Sequence, residues 1–172
     1  LHGRDMSYLA RLNSNGSLDS EWVPTLNGPV SQIQVAKDDA IYISGEFSSV
    51  DGQERPGLAR LRPDGSLDLD FVLGDGIRNV RKLLLRDNGT LIVSGSFDQY
   101  EGVSVLGMIG LDSNGRVSDS FSSLLGLPRW SLDIHEFVVD REGRLIVSGY
   151  VNNDEGMTHS SVLRLSTDDL ER

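Results

Sequence analysis

The sequence predicts an all-β fold made of β-propeller-type blades of four antiparallel strands, and three observations predict it. First, a unit of about fifty residues repeats along the chain: Ser44-Gly45 returns as Ser94-Gly95 and as Ser148-Gly149. Val30/Val80/Ile134, Ile33/Leu83/Phe137, Val35/Leu85/Val139 and Leu61/Leu111/Leu165 keep step with it, and Leu12 adds an earlier copy of the last. Self-similarity at this period marks a propeller or a solenoid array. Second, each unit divides into four short apolar runs separated by turn residues, the pattern of an antiparallel meander. Third, no segment carries apolar residues at helical spacing. A linear β-solenoid is the structural alternative, though its repeats are usually shorter.

In the second unit the runs are 30–36, 41–47, 57–61 and 67–71. The first two are joined at Asp38-Asp39, with counterparts at Asp87-Asn88-Gly89 and Arg141-Glu142-Gly143. The last two are joined at Asp64-Gly65, with counterparts at Asn15-Gly16 and Asn114-Gly115. Asn-Gly and Asp-Gly are tight-hairpin signals, because a type I′ turn needs positive φ at both central residues. An aromatic closes the fourth run: Trp22, Phe71, Phe121. The second runs, such as Leu91-Ile92-Val93 and Leu145-Ile146-Val147, are apolar on consecutive residues. Both faces of those strands must then be covered, as when one small sheet packs against the next. Glycine weakens a strand interior, so its return after each serine predicts a bulge or a close backbone approach at Gly45, Gly95 and Gly149.

The unit boundaries give one partial propeller over 1–172: a half blade at 1–29, then 30–79 and 80–133, then an incomplete unit at 134–172. About three and a half blades cannot close a ring. The rest of the ring is expected in further sequence of a parent chain, or in a second copy. Residue 1 is Leu, which fits a removed leader or a piece of a longer chain.

Composition narrows the function. A net charge of −10 argues against nucleic acid as partner, since a phosphate-tracking protein carries a basic patch. No apolar run is long enough for a membrane span. Without cysteine there is neither disulfide nor thiol chemistry. His2, His135 and His159 lie in different units without ligand spacing, which speaks against zinc. No nucleophile elbow, P-loop or dinucleotide fingerprint occurs. Ser44, Ser94 and Ser148 recur as strand residues, whereas a catalytic nucleophile is needed once. Asp112-Ser113-Asn114-Gly115 echoes the start of a calcium loop, but a further acidic ligand and the closing glutamate are missing. A hairpin turn is the plainer reading; no cofactor is expected, and calcium is the one metal left in view. Arg11, Arg60 and Arg164 recur on third runs; pairing with carboxylates of the Asp19 and Asp68 class is expected, with an anion-binding ring of arginines as the alternative.

In a meander the tight turns share one end of the blade. The second–third loops (48–56, 98–106, 152–161) and the unit connections share the other, and long loops on a rigid scaffold are where binding concentrates. Asp51, Glu101 and Glu155 hold the same loop position, each before a glycine, and form an acidic arc. The arc reads either as a cation site or basic-partner surface, or as solvated turn residues. The one length change between repeats, 122–133, carries Arg129 and Trp130, residue types enriched in binding hot spots. The candidate binding face is therefore Asp51, Glu101, Glu155, Arg129 and Trp130, with no catalytic and no metal residues assigned.

The run from Gly57-Leu58-Ala59-Arg60-Leu61 through Asp64-Gly65-Ser66-Leu67-Asp68 to Phe71 resembles the bacterial delta-sixty repeat, a β-propeller family of unknown function. Leu9-Ala10-Arg11-Leu12 with Asn15-Gly16-Ser17-Leu18-Asp19 is similar, as is the block from Ile43 to Gly52. The third unit departs, with Gly110 at the arginine and Ser118 at the aspartate; the fourth has Thr167-Asp168-Asp169 in place of Asp-Gly-Ser. The resemblance implies a large secreted or surface-exposed protein and brings no catalytic residues. The leading expectation is a non-enzymatic repeat scaffold of a secreted or cell-surface bacterial protein, presenting loops to a protein or glycan partner. A carbohydrate-binding, lectin-like propeller is the alternative, weakened because Tyr100 and Trp130 do not recur between units. A fragment of a propeller enzyme, its site elsewhere in the ring, is the third.

Overall fold

The computed structural model describes residues 8–105, 107–118, 131–142, 144–152 and 158–165; for 131–133, 151–152, 158–161 and 163–165 it describes the backbone alone. Every regular element among them is a strand. The chain divides after Phe71 into two compact units.

In the first unit, β1 (Val30–Val35), β2 (Ile41–Gly45) and β5 (Leu58–Leu61) form an antiparallel sheet in the order β1-β2-β5. Between β2 and β5 stands a small hairpin, β3 (Ser49–Val50) and β4 (Gln53–Glu54). The second unit repeats this with β6 (Val80–Leu85), β7 (Leu91–Gly95), the hairpin β8 (Gln99–Tyr100) and β9 (Val103–Ser104), and β10 (Met108–Leu111). It continues into a third sheet of β11 (Ser131–Val139), β12 (Leu145–Asn152) and β13 (Thr158–Leu165). These sheets are β-propeller blades. The end of the 122–133 insertion is itself strand, with Ser131, Leu132 and Asp133 paired to Asn152, Val151 and Tyr150.

Where it is described, the fourth run of a blade pairs through a single bridge: Leu12 with Leu18, Leu61 with Leu67, Leu111 with Val117. A local bond ends the ladder there. The Asp68 carboxylate accepts the Asp70 N–H at 3.2 Å, and Asp19 does the same for Glu21. Short polar side chains offer the backbone such an alternative to pairing.

The tight turns depart from the type I′ expectation. Gly16, Gly65, Gly89 and Gly115 have φ of 82°, 91°, 88° and 85°, and no positive φ occurs at Asn15, Asp64, Asn88 or Asn114. Gly89 N–H donates to the Arg86 carbonyl at 3.0 Å and Arg86 N–H to the Thr90 carbonyl at 2.9 Å. That is a type I turn followed by one left-handed residue, the three-residue hairpin. Asp39 fills that position between β1 and β2, with φ of 61°.

The bulge predicted beside the Ser-Gly pairs is there in all three blades. Pairing slips between Val30 and Gln32, between Val80 and Lys82, and between Ile134 and Glu136. A Cβ at Gly45 would collide with the Pro29 carbonyl oxygen, and one at Gly95 with that of Asn79.

Both faces of the second strands are covered. Tyr42, Ile43 and Ser44 are buried, as are Leu91, Ile92, Val93 and Ser94. On one side of β2, Ile43 joins Ala59, Leu61, Phe47 and Trp22 in a core. On the other, Tyr42 meets Phe71 edge-on, ring centroids 5.5 Å apart. In the second unit Ile92 and Met108 pack against Ile134, Phe137, Leu145 and Val147. Lys82 crosses the same boundary, donating to the Phe137 carbonyl at 2.9 Å and pairing with Glu136, and burial pushes its ammonium below the ordinary value. Ile33 and Val35 on β1 are 49% and 61% exposed, whereas Leu83 and Phe137 at the Ile33 position are 1% exposed.

Candidate binding face

The connections at 48–56 and 98–106 hold small hairpins rather than open loops; at 152–161 the strands β12 and β13 extend to Asn152 and from Thr158, and 153–157 lie outside the described residues. Asp51-Gly52 has φ of 49° and 77°, and Glu101-Gly102 has 49° and 76°. Here both central residues are left-handed, so the type I′ turn falls at these tips instead of at the Asn-Gly sites. The sequence places these tips and the third–fourth turns at opposite ends of a blade; the structure brings them together. The Tyr100 hydroxyl donates to the Gly115 carbonyl at 2.7 Å and accepts the Gly74 N–H at 2.8 Å. A four-residue third strand spans only about 13 Å, which leaves both ends within reach of a folded-back hairpin.

Asp51 is tied into the backbone. Its N–H donates to the Thr25 carbonyl at 2.8 Å, while its carboxylate accepts the N–H of Thr25 at 2.9 Å and of Leu67 at 3.1 Å. It clasps the incoming connection to the fourth run of its blade. Glu101 keeps the main-chain half of that arrangement, donating to the Asp75 carbonyl at 2.9 Å, and its side chain lies over Gly74. Asp51 and Glu101, two of the three acids expected to form one arc, therefore do different work. Among the described residues no three His, Asp or Glu side chains stand close enough together to hold a metal ion. Asp112, at the calcium-loop echo, accepts the N–H groups of Asn114 and Arg116 at 2.8 and 2.9 Å, the bonds of a turn. Glu155, Arg129 and Trp130 lie outside the described residues.

The recurring arginines pair as expected where they are described. Arg11 Nε donates to Asp19 at 2.9 Å and Arg11 Nη1 to the Pro63 carbonyl at 2.7 Å, with the guanidinium over the Trp22 ring. That bond from Arg11 holds the Asp19 carboxyl below its ordinary value. Trp22 in turn packs on Gly65, where a Cβ would come within 2.8 Å of the indole. Arg60 bridges Asp68 and Asp38, the latter at 2.6 Å, and stands over Tyr42. The side chain of Arg164 lies outside the described residues. Ser44 and Ser94 bury hydroxyls that find no hydrogen-bond partner among the described residues.

Asn27 is the residue that sequence reasoning missed. Its Oδ1 accepts the N–H groups of Ser48 and Ser49, both at 2.9 Å, and its Nδ2 donates to the Ser48 hydroxyl at 2.8 Å. Asn27 thereby seals the base of the β3–β4 hairpin. Fifty residues on, Ile77 takes its place and is buried, 3% exposed. At the base of the β8–β9 hairpin there is instead an open pocket of about 300 Å³, lined by Asp75, Gly76, Arg78, Asp98, Gln99 and their neighbours. Only a comparison of the two repeats position by position reveals it.

Three-stranded antiparallel sheets with a bridged fourth run, repeated at one period, define the chain's class as a β-propeller repeat protein. A family model described as "Domain of unknown function (DUF5122) beta-propeller" matches residues 3–21 and 36–71, the stretches that hold the Arg11–Asp19 and Arg60–Asp68 pairs. The chain is similar to that family over those residues, as the sequence resemblance implies. No curated protein and no solved structure matches it.

Proposed function

We propose that these blades form a non-enzymatic scaffold that presents its second–third hairpins and the adjoining connections to a partner polypeptide. The observation that carries this reading is the divergence at equivalent hairpins. The base sealed by Asn27 in one blade is an open polar pocket at the equivalent hairpin of the next. Repeated residues such as Arg60 and Asp68 have structural partners, so the variable places are where recognition is free to differ. A secreted or cell-surface setting belongs to the same reading and rests on the sequence resemblance alone.

Ile33 and Val35, exposed on β1, support completion of that blade face by further strands, from the same protein or a second copy. The test is a screen of peptide and glycan libraries against the intact chain, with each hit mapped by amide hydrogen exchange. Peptide hits that protect Asp98 to Gly102 support the scaffold. Hits confined to the Asp38–Asp39 and Asn88–Gly89 turns, or glycans as the only hits, overturn it.

A further inference from the structure

We propose that the pocket at the base of the β8–β9 hairpin binds a primary carboxamide, the side chain of an asparagine on the partner polypeptide. This deepens the scaffold reading and rests on it.

The chain contains its own version of the complex. In the first unit the Asn27 carboxamide lies across a hairpin base, its oxygen on the N–H groups of Ser48 and Ser49 and its nitrogen on the Ser48 hydroxyl. The residues at those positions in the second unit are Asp98 and Gln99. Ile77, at the Asn27 position, is buried, and no side-chain acceptor among the described residues reaches the N–H of Asp98 or Gln99. The donors are therefore kept while the internal acceptor is lost, and the vacated space is the pocket.

The wall is altered in the direction that suits an incoming amide. Asp98 replaces Ser48, so a carboxylate stands where a hydroxyl received the NH2 group, and hydrogen bonds to an ionised acceptor are roughly twice as strong as neutral ones. Asp75 and Asp98 both line the pocket, which disfavours a carboxylate ligand of the same size. A carboxamide is neutral and offers both an acceptor and a donor to this set. Arg78, also in the lining, has no ion-pair partner among the described residues and supplies donors for a carbonyl of the partner's main chain.

The experiment uses the full chain labelled with nitrogen-15 and three probes: the N-acetyl, N-methylamide derivatives of asparagine, aspartate and leucine. The asparagine derivative is expected to give saturable shifts at the Asp98 and Gln99 amides at neutral pH, the aspartate derivative weaker ones, and the leucine derivative none. Equal responses to all three, or none to asparagine, overturn the proposal. Asp98→Ala is expected to weaken the asparagine probe about tenfold while the remaining amide spectrum is kept; unchanged affinity overturns it. Asn27→Ala should open a second site, with new probe-dependent shifts at Ser48 and Ser49; a folded Asn27→Ala protein without them counts against it. If that variant does not fold, the Asp98→Ala comparison decides. Library peptides that protect the hairpin without any carboxamide response would refute this pocket's ligand and leave the scaffold standing.

Discussion

The Thr90 hydroxyl lies 3.2 Å from the Ser118 hydroxyl, at the place where the preceding blade has Ala40 and Asp68. Both contacts fasten a first turn to a fourth run, and they do so by different chemistry. One blade uses the Arg60 guanidinium between Asp38 and Asp68; in the other Gly110 replaces the arginine and two hydroxyls meet directly.

The two fasteners should differ in cost when broken. Arg60→Ala leaves the Asp68 carboxylate, 3% exposed, without its main partner, an expected loss of about 2–3 kcal/mol. Thr90→Val removes one neutral hydrogen bond and should cost about 1 kcal/mol. Urea midpoints of the two variants check this, and the reverse order would contradict it. The double change Ala40→Thr with Asp68→Ser, which brings in the later blade's hydroxyl pair and leaves Arg60 on Asp38, should lose less than Arg60→Ala alone.

Glycine substitutions should separate steric from conformational cost. Gly45→Ala drives a Cβ into the Pro29 carbonyl at the bulge, where backbone must move, and should cost about 3 kcal/mol. Gly16→Ala meets nothing within 4 Å but holds a left-handed φ of 82°, an expected cost of about 1 kcal/mol. Thermal unfolding of both variants gives the comparison; equal losses would rule out the close approach at Gly45.

Tyr100→Phe deletes the hydroxyl that joins Gly74 to Gly115, leaving an N–H and a carbonyl without that partner. About 1–3 kcal/mol should be lost. Burial, its largest cause, raises the phenol above the ordinary 10.0. An absorbance titration of wild type against Tyr100→Phe should therefore assign the missing tyrosine to the late, alkaline part of the curve. A tyrosine lost from the earliest part would contradict the burial.

Acid should weaken the first unit through Asp19. Its folded-state value is held below the unfolded 3.8 by the hydrogen bond from Arg11. The stabilisation is then complete above that value and disappears as pH falls from it through the lowered folded-state value. In Asp19→Asn the decline of the urea midpoint over that acid range should be shallower than in wild type. An identical decline would mean that Arg11 does not hold the carboxylate in solution.

The repeat, the meander and the bulge at the Ser-Gly pairs were legible in the sequence because each recurs, and recurrence separates structural need from accident. The turn type was misread for a specific reason: Asn-Gly serves both a two-residue turn and a three-residue turn with a left-handed last position, and the flanking residues do not distinguish them. Asp51 read as a binding-face acid or a solvated turn residue because nothing in one dimension shows that the Thr25 and Leu67 N–H groups converge on it. Asn27 was silent for the opposite reason. Its role shows in a difference from Ile77, and a search for what repeats passes over what does not.

Pairing slips at the same step of the first strand in all three described three-stranded sheets, at Val30/Gln32, Val80/Lys82 and Ile134/Glu136. A blade cut out of the gene at one of these bulges and spliced in at another arrives with its first strand already in phase. Arrays of such blades can then lengthen, shorten or shuffle by recombination while each hairpin keeps its own wording.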